Sequence, residues 1–152
     1  MTTSKGKGQA RAIEAIEGWF ANMARETAAK ELFDAVRRGD PEAVALWAPE
    51  AGLDARDAQG NTALMIATSH ACAGRGAECV RALLPHSDPL SPDAHGRSAF
   101  WRAVVHGLPK TAIALIGHAT RVELEWAIDS PRGSEMLSSI EAQLARLARE
   151  SR

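Results

Sequence analysis

Apolar and polar residues alternate along this chain with a helical period. Between Gln9 and Thr27 the apolar residues Ile13, Ile16, Phe20 and Met23 fall at three- and four-residue steps, with Trp19 widening the stripe. That spacing predicts an amphipathic helix. A second pattern, Leu32, Phe33 and Val36, predicts a helix over Lys30 to Arg38 that Gly39 stops. Asp40-Pro41-Glu42 then restarts a helix, with Asp at the cap and Pro in the first turn, where its missing N–H costs nothing. This helix carries Val44, Leu46 and Trp47 and is expected to end before Pro49. Residues 53–60 have no helical period, and Asp57 and Gly60 suit the two ends of a tight turn. Helical pattern resumes after Thr62 with Ala63, Leu64, Ile66 and Ala67. A loop with Gly74 and Gly76 follows, then a helix from Glu78 to Leu84 that Pro85 stops.

The pattern then recurs. Asp93-Ala94-His95-Gly96 repeats Asp57-Ala58-Gln59-Gly60, and Ser98-Ala99-Phe100 repeats Thr62-Ala63-Leu64. Ala103 repeats Ala67, Gly107-Leu108-Pro109-Lys110 repeats Gly39-Asp40-Pro41-Glu42, and Leu115-Ile116 repeats Leu83-Leu84. From Asp57 to Asp93 is 36 residues. Repetition on that scale means stacked supersecondary units that share their buried faces, because each helix pair alone has too little apolar surface to stand. Small residues at Ala35, Ala67 and Ala103 would let neighbouring helices approach.

These residues resemble the ankyrin repeat, a β-turn followed by two antiparallel helices with the fingerprint D-x-x-G-x-T-P-L-H-x-A-A-x-x-G-x-x-E-V-V-x-L-L. Asp57, Gly60, Thr62, Leu64, Ala67, Glu78, Val80, Leu83 and Leu84 match it in one unit. Asp93, Gly96, Ser98, Phe100, Ala103, Gly107, Ala112, Leu115 and Ile116 match it in the next. Ala63 and Ala99 replace the family's helix-starting Pro, and Met65 and Trp101 replace its His. Ser69 to Arg75 carries the extra residues that lengthen the period. The resemblance implies an all-α solenoid of stacked helix pairs with short turn or hairpin connections, capped by terminal helices. The expected organisation is a disordered tail over 1–8, an N-terminal capping helix over 9–29, repeats over 30–128, and a degenerate repeat or capping helix over 129–152. The last carries a seam of Leu137, Ile140, Leu144 and Leu147. If the first helix does not cap the array, its Trp19/Phe20 face could dock into a groove on another protein.

Composition narrows the picture. Eighteen basic residues against 19 acidic give net charge −1, so neither nucleic acid nor an anionic membrane is favoured as a partner. Thirty alanines and only 5% aromatic residues suit closely packed helices and disfavour a β-sandwich. Arginine outnumbers lysine 14 to 4, which with the alanine content points to a GC-rich bacterial genome. No secretory signal or membrane span is evident, and Cys72 and Cys79 fit no disulfide framework, so both read as reduced thiols in a cytoplasmic protein.

Catalytic chemistry finds little support. No phosphate-binding glycine loop, HExxH or GxSxG motif occurs. His70, Cys72, Cys79 and His86 have the right types for zinc but not a spacing that makes a tight site. Cys72 beside His70 lacks an orienting third residue. Glu14/Glu17 reads as a solvated helix face, and Thr120 with Glu123 as a capping box. No catalytic residue, metal or cofactor is therefore expected. The resemblance implies binding of another protein through turn tips and the first helices of each pair. Mapped onto this chain, those positions include Arg37, Arg38, Gln59, Asn61, Ser69, His70, His95, Arg97 and His106; Trp101 and Arg102 join them because they cluster on the same unit and are residue types enriched at binding hot spots. Such a module would be a monomer or weak homodimer. A neutraliser of a toxin or enzyme, and a module self-associating through the C-terminal seam, are the other readings.

Overall fold

A computed structural model describes residues 4–53, 55–69 and 75–152, with side chains from Gly6 onward. The described residues form helices α1 (Ser4–Arg38), α2 (Pro41–Ala51), α3 (Ala63–Ser69), α4 (Gly76–Leu83), α5 (Ala99–Val105), α6 (Pro109–Leu115), α7 (Arg121–Asp129) and α8 (Leu137–Glu150). Short 3₁₀ turns follow α4 and α6 and precede α8. The helices pair in order, and pairs stack so that α1, α3, α5 and α7 form one layer and α2, α4 and α6 the other. This is the all-α stack of helix pairs that the repeat spacing predicts.

The repeated sequence signals fold into repeated geometry. At the end of α1, Gly39 N–H donates to Val36 O at 3.0 Å and Asp40 N–H to Ala35 O at 3.0 Å. At the end of α5, Gly107 and Leu108 make the same two bonds to Val104 and Ala103 at 3.0 and 2.9 Å. Both are Schellman closures, which need a left-handed residue, and both glycines have φ of 66°. Asp40 caps α2 by accepting from Ala43 N–H at 3.0 Å. Asp57 and Asp93 each close a turn with Gly60 and Gly96 and accept side-chain bonds from the N–H groups two and four residues on. One antiparallel bridge, Arg56 to Thr62, makes the first of these turns a minimal hairpin. Ala35, Ala67 and Ala103 are fully buried at matching points of α1, α3 and α5, where the missing bulk brings adjacent pairs into contact.

Three boundaries differ from the sequence reading. The helices expected over 9–29 and 30–38 are one continuous helix, since Thr27-Ala28-Ala29-Lys30 contains no stop signal. Its N-terminal half does not cap the array: every residue from Gly6 to Thr27 is exposed, and burial begins at Ala28. Residues 4–8, expected as a disordered tail, belong to that helix. Second, α2 runs through Pro49 to Ala51, because Ala48 and Ala51 are buried in the stack and hold the last turn in place. Third, the fourth pair begins at Thr120 rather than 129: α7 packs on α8 and on α5. Ile140 and Met136 are buried, and Leu144 and Leu147 pack against the core.

The start of α7 is a full capping box. Thr120 Oγ1 accepts from Glu123 N–H at 3.3 Å, and Glu123 Oε2 accepts from Thr120 N–H at 2.9 Å. Glu123 also accepts from the Ser98 hydroxyl, which itself caps α5, so one carboxylate ties the third pair to the fourth. Thr120→Ala is expected to lower stability by about 1 kcal/mol, read as a shifted urea midpoint with unchanged slope.

Candidate functional site

The turn tips and first helices of successive pairs enclose a groove on one side of the stack. Arg37 of α1, Asp57, Gln59 and Asn61 of the first turn, Ile66 and Ser69 of α3, and Arg102 of α5 line a cavity of about 270 Å³ there. Three consecutive units thus contribute to one depression.

Asp57 and Asp93 organise its charge. Asp57 is held by Gln59 and Asn61 N–H groups and lies 3.6 Å from Arg37 Nη2, while Arg37 also reaches Asp34 at 3.4 Å and lies over the Phe33 ring. Arg102 is far more enclosed, its side chain 15% exposed. It donates to Asn61 Oδ1 at 3.0 Å and to Ser69 Oγ, and lies 3.8 Å from Asp93. Burial pushes the Arg102 pKa below its ordinary value and Arg97 adds to that, while Asp93 and Asp57 push it back up. It stays a cation at any physiological pH. Burial raises the Asp93 pKa, but hydrogen bonds from Arg97 and His95 N–H and the pairing with the Arg97 side chain outweigh it and hold the carboxyl below its ordinary value.

A second cluster adjoins the groove. The Arg97 guanidinium bonds Asp93 at 2.9 Å and lies 5.0 Å from the centre of the Trp101 ring. Trp101 in turn stacks on Trp126 of α7, centroids 5.4 Å apart and planes 21° from parallel. Half-buried Trp101 therefore links the third pair to the fourth as much as it presents a surface.

Of the residues singled out from the sequence, Arg37, Gln59, Asn61, Ser69 and Arg102 come together in the groove. Arg97 and Trp101 form the adjoining cluster. Arg38 ends α1 and is exposed, His95 is exposed at the second turn tip, and His106 is exposed where α5 ends. His70 lies outside the described residues, as does Cys72. Cys79 is buried inside α4 and His86 half-buried after it. Among the described residues no three His, Cys, Asp or Glu side chains are grouped to hold a metal ion, and no helix is long and apolar enough to cross a membrane.

Asp57 and Ile66 line the groove and Asp93 lies behind Arg102, although the sequence marks none of the three as binding residues. The two aspartates are legible there only as turn residues. Their second role depends on Arg37, Arg97 and Arg102, and the Arg102 contacts reach 33 and 41 residues back in the chain.

Compared with known proteins, residues 32–125 match the family model for ankyrin repeats (3 copies). No curated protein and no solved structure matches the chain.

Proposed function

Because the chain belongs to the ankyrin-repeat family, whose repeats generally serve as protein–protein interaction modules and whose members are typically non-enzymatic, we propose that it binds another protein through the groove between Arg37 and Arg102. The observation that carries this reading is the groove itself, built by three units and lined by both guanidiniums. Among its lining residues two cations face one carboxylate, and that carboxylate already accepts two backbone N–H bonds. Arg102 is held inside by Asn61, Ser69 and Asp93, whereas Arg37 is half-exposed, lies 3.4 and 3.6 Å from Asp34 and Asp57, and can turn toward an incoming acceptor. A partner loop bearing Asp or Glu fits this chemistry, since arginine forks pair with carboxylates bidentately. Near-neutral net charge suits a protein partner better than nucleic acid or a membrane surface.

Affinity capture from the source organism's lysate tests the reading. A variant with Arg37→Glu, Gln59→Glu and His95→Glu, all at exposed or half-exposed positions, is expected to lose the partner by tenfold or more while its helical circular dichroism is unchanged. Leu46→Glu, exposed on α2 away from the groove, is expected to retain it. Equal capture by both variants would refute the site.

A further inference from the structure

The exposed half of α1 carries a feature that the groove does not use. Ile13, Ile16, Trp19, Phe20 and Met23 are 56%, 55%, 58%, 60% and 45% exposed. Carried along the period of about 3.6 residues, this stripe lies on the opposite side of α1 from the buried Ala28, Leu32 and Val36. Trp19 and Phe20 already meet edge to face, centroids 5.1 Å apart. We propose that this stripe is the interface for a second copy of the same chain, paired antiparallel about the level of Gly18.

Three observations select that occupant. The spacing 13, 16, 20, 23 alternates three and four residues, the a/d seam by which one helix packs along another. The four seam residues are also symmetric in sequence, Ile13 and Met23 five residues either side of 18 and Ile16 and Phe20 two either side, while Trp19 is mirrored by Glu17. A twofold interface requires that residue i meet j while j meets i. Antiparallel pairing places Ile16 against Phe20 and Ile13 against Met23 twice over, in a-to-d layers. Finally, the five side chains offer roughly 500 Å² per copy, so a pair buries about 1,000 Å², the lower bound for a specific interface. Ala10, Ala12 and Ala24 flank the seam and admit a close neighbour.

The helix has its own need of such a partner. Gly6, Gly8 and Gly18 sit in its exposed half with nothing near them, and glycine disfavours helix. In proteins an amphipathic helix takes most of its stability from packing its apolar face. Pairing and helix formation in residues 6–27 are therefore coupled, and the helix content of the protein rises with its concentration.

Sedimentation equilibrium and concentration-dependent circular dichroism test this on the full chain. The wild type is expected to dimerise weakly, at micromolar or higher concentration, gaining helix as it does. Ile16→Glu with Phe20→Glu is expected to give a monomer whose thermal unfolding midpoint for the array is unchanged, because both side chains lie outside the core. For orientation, Ile16→Cys and Phe20→Cys proteins are mixed and oxidised in a Cys72→Ser background. Antiparallel pairing yields the mixed disulfide in excess, whereas predominant homodimers would overturn the register. A wild type that stays monomeric, a dimer that survives both glutamates, or a monomer whose stripe instead binds lipid vesicles would each overturn the proposal.

Discussion

Asp93→Ala is expected to cost about 3 kcal/mol, the lower end of the loss when one partner of a buried charge network is removed, because Arg97 is more than a third exposed. The Asp93 side chain is 5% exposed, accepts from His95 and Arg97 N–H at 2.8 and 2.9 Å, and pairs with two guanidiniums. Without it the turn loses its internal acceptor, and Arg102 keeps only neutral partners in an enclosed position. Asp57→Ala removes the same turn bonds but strands only Arg37, which is half-exposed and has Asp34 nearby. Its cost is expected to be about half as large, since exposed pairs contribute little. Urea unfolding of the two variants checks the order. The pH dependence has a definite sign. Because the folded pKa of Asp93 is depressed, its contribution is full above the ordinary carboxylate range and is lost as pH falls through the lower, folded value. The stability gap between wild type and Asp93→Ala therefore narrows in acid. A gap that stays constant to pH 2 would mean that the ionised carboxylate of Asp93 is not what holds the turn and Arg102.

Gly133→Ala is the second large effect. A Cβ at Gly133 would overlap the carbonyl oxygen of Ala127 and stand 2.9 Å from its carbonyl carbon. Both atoms belong to the end of α7, so no flexible side chain can move aside. The expected loss is about 3 kcal/mol, at the upper end for overpacking, and it falls on one place. The turn before α8 must open, and α8 loosens from α7. Hydrogen exchange over 137–150 is expected to accelerate while α3 and α4 stay protected. Uniform acceleration across the array would contradict this local reading.

The stack is legible in the sequence because its signals are local. An Asp three residues before a Gly, a Gly before a Pro and an Ala at a fixed offset each specify a turn, a closure or a close approach within a few residues. Recurrence at a constant interval then fixes how units stack. Sequence and structure part where the deciding interaction is distant. The pattern suggests two helices at the N-terminus because the apolar face changes between Met23 and Leu32. The chain has no break there, and the face changes only because one half meets the array and the other meets solvent. Pro49 reads as a stop locally, yet burial of Ala51 carries the helix past it. The groove is half legible. The family resemblance picks out Arg37, Gln59, Asn61 and Ser69, and the hot-spot character of arginine picks out Arg102, but nothing near Trp101 in the sequence announces Trp126, 25 residues on.

The paired aspartate turns also bear on how the chain reaches this fold. Each turn is closed by bonds spanning two to four residues, and Arg56 reaches from the first to the second through Ser91 Oγ at 2.7 Å. Contacts of short sequence separation lose little loop entropy on forming, so such chains fold fast. Either turn with its helix pair can serve as the nucleus, and the neighbour then adds to a ready surface. A chain that starts from one turn is a partial stack whose open end is a helix-pair face until the next unit adds. On the C-terminal side that face is covered by α8, which seats its own Ile140 and the preceding Met136 in the core.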